Sequence, residues 1–413
     1  MSELSRRQFL HDSMIVAAAA GAAGMGSKVL GAEKTSTSIE QRGPNEKLRF
    51  AVVGVNGQGN SHIGNLLNRM NSGEADIVAI CDVDETIGKQ RCSEIKAKAG
   101  VEPKFYQDLR KLFEDKDVDC ISAAVPNHWH ALLAIWGMQA GKDVYIEKPA
   151  SHDINEGQRM VETARKHNRI CQVGTQSRSM PGTIEAINYI KAGNIGDVNL
   201  ARGLCYKPRG SIGPAGAYDV PSTIDYNIWC GPAPLTEKSP YKGDRSHRMA
   251  PHYDWHWFWN FGNGDMGNQG IHEMDVARWG LGVNELAHGV LAYGGRFGYE
   301  DAGETPNTIN VVLDYGPKSL VFETRGLKFK PYKGVNIGIL FEGTNGYVAM
   351  TSYTNGAAFD KDGKEIKRFS GGEYPLHHAA FIKAVRSRKK EDLTCDIQEG
   401  HLSAGLVHIG NIS

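Results

Sequence analysis

From Leu48 onward, short apolar runs bounded by Gly, Pro and Asp alternate with segments of helical periodicity, and this alternation restricts the fold more than any other feature. Such runs are typical of strands buried on both faces, and the periodicity between them indicates helices. The pattern predicts strands at 49–53, 76–81, 119–124 and 143–146, and helices at 60–70, 85–99 and 129–140. Strands that alternate with helices form a parallel sheet with right-handed crossovers, so we predict a doubly wound α/β domain.

The second half of the chain follows a different pattern. After about residue 168 come aromatic loops at 218–259, and then longer strands of alternating polarity at 307–314 and 320–325. An Asn345-Gly346 pair carries the signal of a tight hairpin. We therefore predict a Rossmann domain with a doubly wound parallel sheet at residues 48–170, followed at 171–413 by an α+β domain with a largely antiparallel open sheet.

The first 47 residues are unlike the rest. Arg6 and Arg7 precede a small apolar run at 14–25, which is the order of a twin-arginine export signal. We predict a signal peptide at 1–33, a polar linker at 34–47 and a periplasmic protein. The alternative is a short membrane anchor, but the run is too short and too rich in Ala and Gly to cross about 30 Å of hydrocarbon comfortably. No later stretch has the apolar length of a spanning helix, so we expect no stable membrane span once the signal is removed.

Composition excludes some classes of partner and site. Lys plus Arg number 47 and Asp plus Glu number 47, which lacks the basic footprint of a nucleic-acid-binding protein and favours a small neutral ligand. The seven cysteines are scattered, without the spacing of a zinc site or of a disulfide framework. We therefore predict no nucleic-acid partner and no metal site, and we expect most of the cysteines to be buried.

A glycine-rich turn closes the first predicted strand and opens the first helix. Glycines in such a turn allow the backbone to approach a pyrophosphate, which the helix N-terminus stabilises. The turn departs from the usual pattern because Asn stands where the second Gly is expected. The predicted contacts with the cofactor here are Gly54, Asn56, Gly57, Gln58 and Gly59.

Asp82 ends the second predicted strand, where an acidic residue can bind the ribose 2′-hydroxyl of a dinucleotide. A carboxylate there repels a 2′-phosphate, so NAD is favoured over NADP. The alternative for Asp82 is a helix N-cap or a surface loop acid.

Two further motifs follow the next strands: Val125-Pro126-Asn127-His128-Trp129-His130 and Val144-Tyr145-Ile146-Glu147-Lys148-Pro149. With the glycine turn and the acidic residue in this order, the chain resembles the Gfo/Idh/MocA oxidoreductases from about Leu48 to its C-terminus. The resemblance implies that Lys148 is catalytic and that the cofactor site also includes Pro126, Asn127, His130, Glu147 and Lys148. The alternative is a strand-end lysine paired with Glu147.

The segment 264–279 resembles the second catalytic helix of that family. If it is helical, Asn268, His272, Asp275 and Trp279 share one face, and His272 is suited to accept a hydroxyl proton. The family often has Asp four residues before the His, but this chain has Asn268. We therefore predict that Asp275, one turn later, orients His272. The alternative is a helix histidine that packs against Trp279.

Polar and aromatic residues of the second half are candidates for the substrate cleft, since aromatic faces suit the C–H surface of a sugar and polar groups bind its hydroxyls. The predicted substrate-binding residues are Gln176, Arg178, Arg209, Tyr226, Trp229, His256, Asn268 and His272. Several of these segments resemble an exported bacterial branch of the family that commonly continues past Ser413, which favours an incomplete C-terminal end. We also expect a homo-oligomer formed through the open sheet.

We predict an NAD-dependent oxidoreductase that acts on a sugar or polyol hydroxyl. Because free nicotinamide nucleotide is expected to be scarce outside the cytoplasm, the cofactor is predicted to be loaded before export and to stay tightly bound. The alternative is a redox-neutral glycosidase or lyase that acts through a transient keto sugar, chemistry that this fold hosts in glycoside hydrolase family 109. A cofactor-retaining binding protein is disfavoured because Lys148 and His272 are both present.

Overall fold

The computed structural model describes residues 46–235 and 251–413. The predicted signal peptide and nearly all of the predicted linker lie outside the described residues. All seven cysteines are buried. Within the described part of the chain, no helix combines the length and the apolar character needed to cross a membrane.

The first domain is built on six parallel strands in the order β3-β2-β1-β4-β5-β6. The strands are β1 (Leu48–Val53), β2 (Ala75–Cys81), β3 (Lys104–Tyr106), β4 (Cys120–Ala123), β5 (Asp143–Ile146) and β6 (Cys171–Val173). The helices are Gln58–Asn71, Glu85–Ala99, Leu109–Glu114, Asn127–Gln139 and Ile154–Lys166. The predicted doubly wound parallel sheet is confirmed.

The predicted boundary after residue 170 is wrong. Cys171–Val173 pairs in parallel with β5 and completes the first sheet. A strand of three residues is too short for its pattern to be recognised, which explains the error. The C-terminal helices also return to the first domain: Ile397–Ile412 packs on Ile154–Lys166, and Phe381 of helix Pro375–Ser387 contacts Phe50 of β1.

The second domain contains an eight-stranded sheet in the order β14-β13-β12-β11-β7-β10-β9-β8. Its strands are β7 (Val198–Cys205), β8 (Gly289–Gly295), β9 (Thr308–Asp314), β10 (Ser319–Arg325), β11 (Ile337–Gly343), β12 (Gly346–Met350), β13 (Gly356–Asp360) and β14 (Glu365–Phe369). Every neighbouring pair is antiparallel except β7 and β10. The predicted hairpin at Asn345-Gly346 joins β11 to β12. The predicted, largely antiparallel sheet is therefore confirmed.

Helices cover one face of this sheet. Helix Ile271–Leu281 packs on β7 and β11, and helix Pro181–Lys191 lies beside it. A π-helical turn, Met266–Gly270, leads into helix Ile271–Leu281, so the predicted helix 264–279 is regular only in its second part. Helix Tyr226–Cys230 and the 3₁₀ turns Gln176–Ser179, Asp254–Trp257 and Lys390–Asp392 complete the described elements.

Candidate active site

A cleft of about 310 Å³ lies at the carboxyl ends of β1, β2, β4 and β5. In open α/β sheets this edge is where ligands bind. The opposite wall belongs to the second half of the chain, which contributes Ile224, Ile228, Trp229 and residues of the segment 251–256. The cleft is therefore formed by both halves of the chain.

The glycine turn has the geometry of a pyrophosphate cradle. Gly54 has φ +74°, and a Cβ there would lie 2.4 Å from the Ala124 carbonyl oxygen. At Gly59 a Cβ would lie 1.7 Å from the Gly54 carbonyl oxygen, so Gly59 permits close packing of helix on strand and does not line the cleft. At Gly57 no atom of the described residues lies within 4 Å of such a Cβ. This open space beside the first turn of helix Gln58–Asn71 fits a dinucleotide phosphate.

Asp82 is oriented by backbone donors at the end of β2. Its two oxygens accept hydrogen bonds from the amides of Val55 (2.7 Å) and Asp84 (2.9 Å). Burial raises the pKa of Asp82, and these hydrogen bonds oppose that shift. Each oxygen keeps a lone pair for a ribose hydroxyl. The N-cap of helix Glu85–Ala99 is Asp84, so the N-cap alternative for Asp82 is wrong.

The residues of the motif after β4 have two different roles. Pro126 and Asn127 line the cleft, as predicted for cofactor contacts. His130 does not: its ring nitrogens lie 2.6 Å from the Pro149 carbonyl oxygen and 2.8 Å from that of Val125. The prediction that His130 contacts the cofactor is therefore corrected, because its ring is engaged in bracing the Lys148-Pro149 loop.

Glu147 lines the cleft and is the centre of a buried hydrogen-bond network. Its Oε1 lies 3.0 Å from Nε2 of Gln176, 3.2 Å from Nε2 of His62 and 3.3 Å from the hydroxyl of Tyr374. Burial raises the pKa of Glu147, but the hydrogen bond with His62, together with nearby groups that include Lys148, outweighs burial and brings the pKa to about 2. Glu147 is therefore a carboxylate at neutral pH.

Lys148 also lines the cleft, and its Nζ donates to the Asn268 carbonyl oxygen at 2.8 Å. Asn268 lies in the π-turn, a type of helix irregularity that is frequent at functional sites. Burial lowers the pKa of Lys148, while the Glu147 carboxylate opposes that shift.

His272 lies in the first turn of helix Ile271–Leu281, where it is buried and is not among the residues that line the cleft. Burial, followed by repulsion from Lys148, lowers the pKa of His272 to about 3, so the imidazole is neutral at physiological pH. Its ring packs 4.8 Å from that of Tyr353, and within the described ranges its Nδ1 has no hydrogen-bond partner. A neutral imidazole nitrogen of this kind can accept a proton.

The predicted pairing of Asp275 with His272 is not found. The Asp275 carboxylate accepts three hydrogen bonds from Arg178 at 2.8, 2.9 and 3.0 Å, and one from Ser403 at 2.6 Å. Arg178 is nine-tenths buried in this ion pair and does not line the cleft, so its predicted contact with substrate is corrected as well. A buried arginine satisfies a buried carboxylate better than a neutral imidazole does.

The remaining substrate candidates are divided between the cleft and its support. Trp229, His256 and Asn268 line the cleft. Gln176 lies behind Glu147, and Arg209 pairs with Asp265 while its guanidinium lies 5.2 Å from the centre of the Trp257 ring. Tyr226 stacks on Trp229 at 5.5 Å. These three support the wall of the cleft.

Sequence reasoning missed several residues of the site. Asp84 and Gln107 line the cleft, and His62, Gln269, Glu273, Tyr353 and Tyr374 lie behind it. Glu273 could have been noticed, because it follows His272 directly. Tyr353 and Tyr374 carried no signal, since they come from loops more than 80 residues away in the chain from the groups that they contact.

Family models match most of the chain. Residues 48–175 match the oxidoreductase family, NAD-binding Rossmann fold, and residues 214–413 match the oxidoreductase family, C-terminal alpha/beta domain. The first segment covers all six strands of the first sheet, and the second contains His272.

Curated relatives match only in part. An inositol 2-dehydrogenase of Salmonella typhimurium is 31% identical over 160 residues, which is 38% of this chain and 46% of the relative. A glycosyl hydrolase family 109 protein of Solibacter usitatus is 28% identical over 205 residues, 48% of this chain and 45% of the relative. The match thus spans less than half the length of these relatives.

Solved structures match over nearly the whole chain. Levoglucosan dehydrogenase in complex with NADH has a TM-score of 0.66 at 18% identity, covering 89% of this chain and 96% of that one. The WlbA dehydrogenase of Bordetella pertussis, in complex with NADH and UDP-GlcNAcA, has a TM-score of 0.64 at 20% identity, covering 88% and 95%. At this level of identity these likenesses establish the fold.

Proposed function

The chain belongs to the Gfo/Idh/MocA family of oxidoreductases, and from that premise we propose that it interconverts a hydroxyl and a carbonyl on a sugar or polyol with bound NAD. The observation that carries the proposal is the hydrogen bond from Lys148, in the cleft, to the Asn268 carbonyl oxygen in the π-turn that leads into the helix of His272. Lys148 offers a donor inside the cleft, and His272, four residues after Asn268, offers a buried neutral base behind the lining of the cleft.

The cofactor would be held by this chain's own residues. The amides at the start of helix Gln58–Asn71 face the pyrophosphate position, the Asp82 carboxylate accepts from ribose hydroxyls, and Asn127 and Lys148 lie at the other end of the cleft. When bound, the nicotinamide ring supplies the group that accepts or returns a hydride. Lys148 donates a hydrogen bond to the substrate oxygen and stabilises its developing negative charge, and His272 takes up the hydroxyl proton.

A second candidate is redox-neutral cleavage of a glycoside or elimination through a transient keto sugar. It is supported by the similarity to family 109 proteins and by the export signal proposed for residues 1–33. We propose that the protein is periplasmic after transport by the twin-arginine route, that it carries its NAD through export, and that it recycles the cofactor within each cycle. We also propose a homo-oligomer formed through the open face of the second sheet.

A single-turnover experiment tests the proposal. Purified protein, with its bound nucleotide identified after denaturing release, is mixed with a panel of sugars and polyols, and reduction of bound NAD is followed by absorbance. We expect reduction by at least one member. Aryl glycosides incubated without added NAD distinguish the two candidates, since release of the aglycone would select the redox-neutral reaction.

Variants then assign the roles. We expect Lys148→Ala and His272→Ala each to slow the single turnover by about 10²–10⁴-fold, as is typical of lost acid–base help, with nucleotide retained. Because both serve one proton transfer, the double variant should be far less impaired than the product of the single effects. If His272→Ala reduces NAD at the wild-type rate, the base is another residue.

A further inference from the structure

One segment of the second half crosses the cofactor cleft and is tied to the first domain at both ends. We refer to residues 223–231 as the strap. At its beginning, the Glu85 amide donates to the Thr223 carbonyl oxygen at 2.9 Å, and the Asp225 amide donates to that of Val83 at 3.0 Å. Asp84 and Ile224 form an antiparallel bridge. The side-chain amide of Gln107 donates to the carbonyl oxygens of both Val83 (3.0 Å) and Thr223 (3.4 Å).

The other end of the strap is tied to the start of helix Asn127–Gln139. The indole N–H of Trp129 lies 3.1 Å from the Ile228 carbonyl oxygen and 3.0 Å from that of Trp229. Nε2 of His128 also lies 3.0 Å from the Trp229 carbonyl oxygen. At Gly231, whose φ is +50°, a Cβ would lie 2.2 Å from the Trp129 ring. The backbone at the end of the strap is therefore in close contact with this ring.

The order of the strands shows what lies beneath the strap. The first anchor follows β2 and the second follows β4, and in the sheet these strands are the two neighbours of β1. A segment that is hydrogen-bonded to the residues following both strands must pass over the carboxyl end of β1, which is where the glycine turn 54–59 begins. Ile224, Ile228 and Trp229 of the strap line the same cleft as Gly57 and Asp82.

We propose that the strap is a clasp that retains the dinucleotide, so that its anchors at Gln107 and Trp129 set the rate at which cofactor enters and leaves. This inference rests on the proposed binding of NAD and explains how one cofactor molecule can persist through many turnovers. A dinucleotide lying across β2, β1 and β4 is enclosed between the turn and the strap. Exchange therefore requires one anchor to open.

Two variants open the anchors separately. Trp129→Phe keeps an aromatic ring but removes the N–H donor, and Gln107→Leu removes the amide donor at the opposite end. The matched control is Trp279→Phe, which makes the same change in helix Ile271–Leu281, where the ring packs against the core of the second domain and does not line the cleft. NADH is used as the probe: its fluorescence reports association with nucleotide-depleted protein, and a chase with excess NAD⁺ reports dissociation.

We expect each anchor variant to raise both the association and the dissociation rate about three- to tenfold, which is the effect of losing one or two hydrogen bonds. The control should match the wild type. Unchanged rates in both variants would overturn the proposal, and so would a rise in the dissociation rate alone, because that result belongs to lost contacts with the cofactor and not to a clasp. The measurement needs no substrate, so it remains decisive even if no sugar proves to be turned over.

Discussion

Among single residues, Glu273 shows how the interior controls charge beside the reacting groups. Its carboxyl is almost completely buried, and Oε1 accepts a hydrogen bond from Gln269 at 3.1 Å. Burial raises the pKa of Glu273 to about 8, with the Gln269 hydrogen bond opposing the shift. At pH 7 both Glu273 and its neighbour His272 are therefore neutral, and the ionisable groups that act on Glu273 include Lys148 and Lys207.

Glu273 consequently makes stability depend on pH. Between its ordinary pKa of 4.5 and about 8, the folded protein binds more protons at this site than the unfolded chain does, so stability falls as the pH rises. Gln at this position cannot titrate. We therefore expect the difference in the free energy of unfolding, Glu273→Gln minus wild type, to increase between pH 5 and pH 8 by up to about 1.4 kcal/mol per pH unit. Urea denaturation at several pH values measures it, and a constant difference would contradict the argument.

At the scale of elements, local signals decided what the sequence could predict. Helix Glu85–Ala99 has the predicted bounds because Asp84 caps its start and Gly100, with φ +75°, ends it. The strand-end motif also led to Lys148, which lines the cleft, while His272 lies in the predicted helix but does not line the cleft. The sequence could not reveal the pairing of Asp275 with Arg178, which lies 97 residues away, nor the π-turn before His272, because both depend on tertiary packing. The roles assigned to the cleft residues stay predictions.

The helix that carries His272 depends on a glycine for its distance from the sheet. A Cβ at Gly280 would lie 2.2 Å from Cε1 of Phe341, a fully buried ring of β11 that has no room to move. We expect Gly280→Ala to lower the free energy of unfolding by about 1–3 kcal/mol, as overpacking does. The matched control is Gly64→Ala in helix Gln58–Asn71, where nothing described lies within 4 Å and a gain of about 0.4–1 kcal/mol is expected. Equal denaturation midpoints for the two variants would refute this account.

For the whole molecule, the second sheet is covered by helices on one face, while its other face exposes apolar side chains on β8 and β9. Leu291 and Tyr293 of β8 are 70% and 80% exposed, and Val312, the cross-strand partner of Leu291, is 40% exposed. Because the three belong to adjacent strands and the same face, they form a continuous patch. Monomeric proteins rarely expose a large patch of this kind, and such patches mark interfaces.

We therefore expect the protein to self-associate through β8 and β9. The double variant Leu291→Lys/Tyr293→Lys should be monomeric, because the free energy needed to desolvate two lysines at the interface exceeds the stabilisation from the remaining contacts. The matched control is Val101→Lys, a change at a 55% exposed aliphatic residue of the first domain. Sedimentation velocity measures the mass of each. NADH binding should be unchanged in both variants, because the cleft lies at the carboxyl ends of the strands of the first sheet, away from β8 and β9. A wild-type protein that sediments as a monomer, or a double variant that retains the wild-type mass, would show that this face is not the interface.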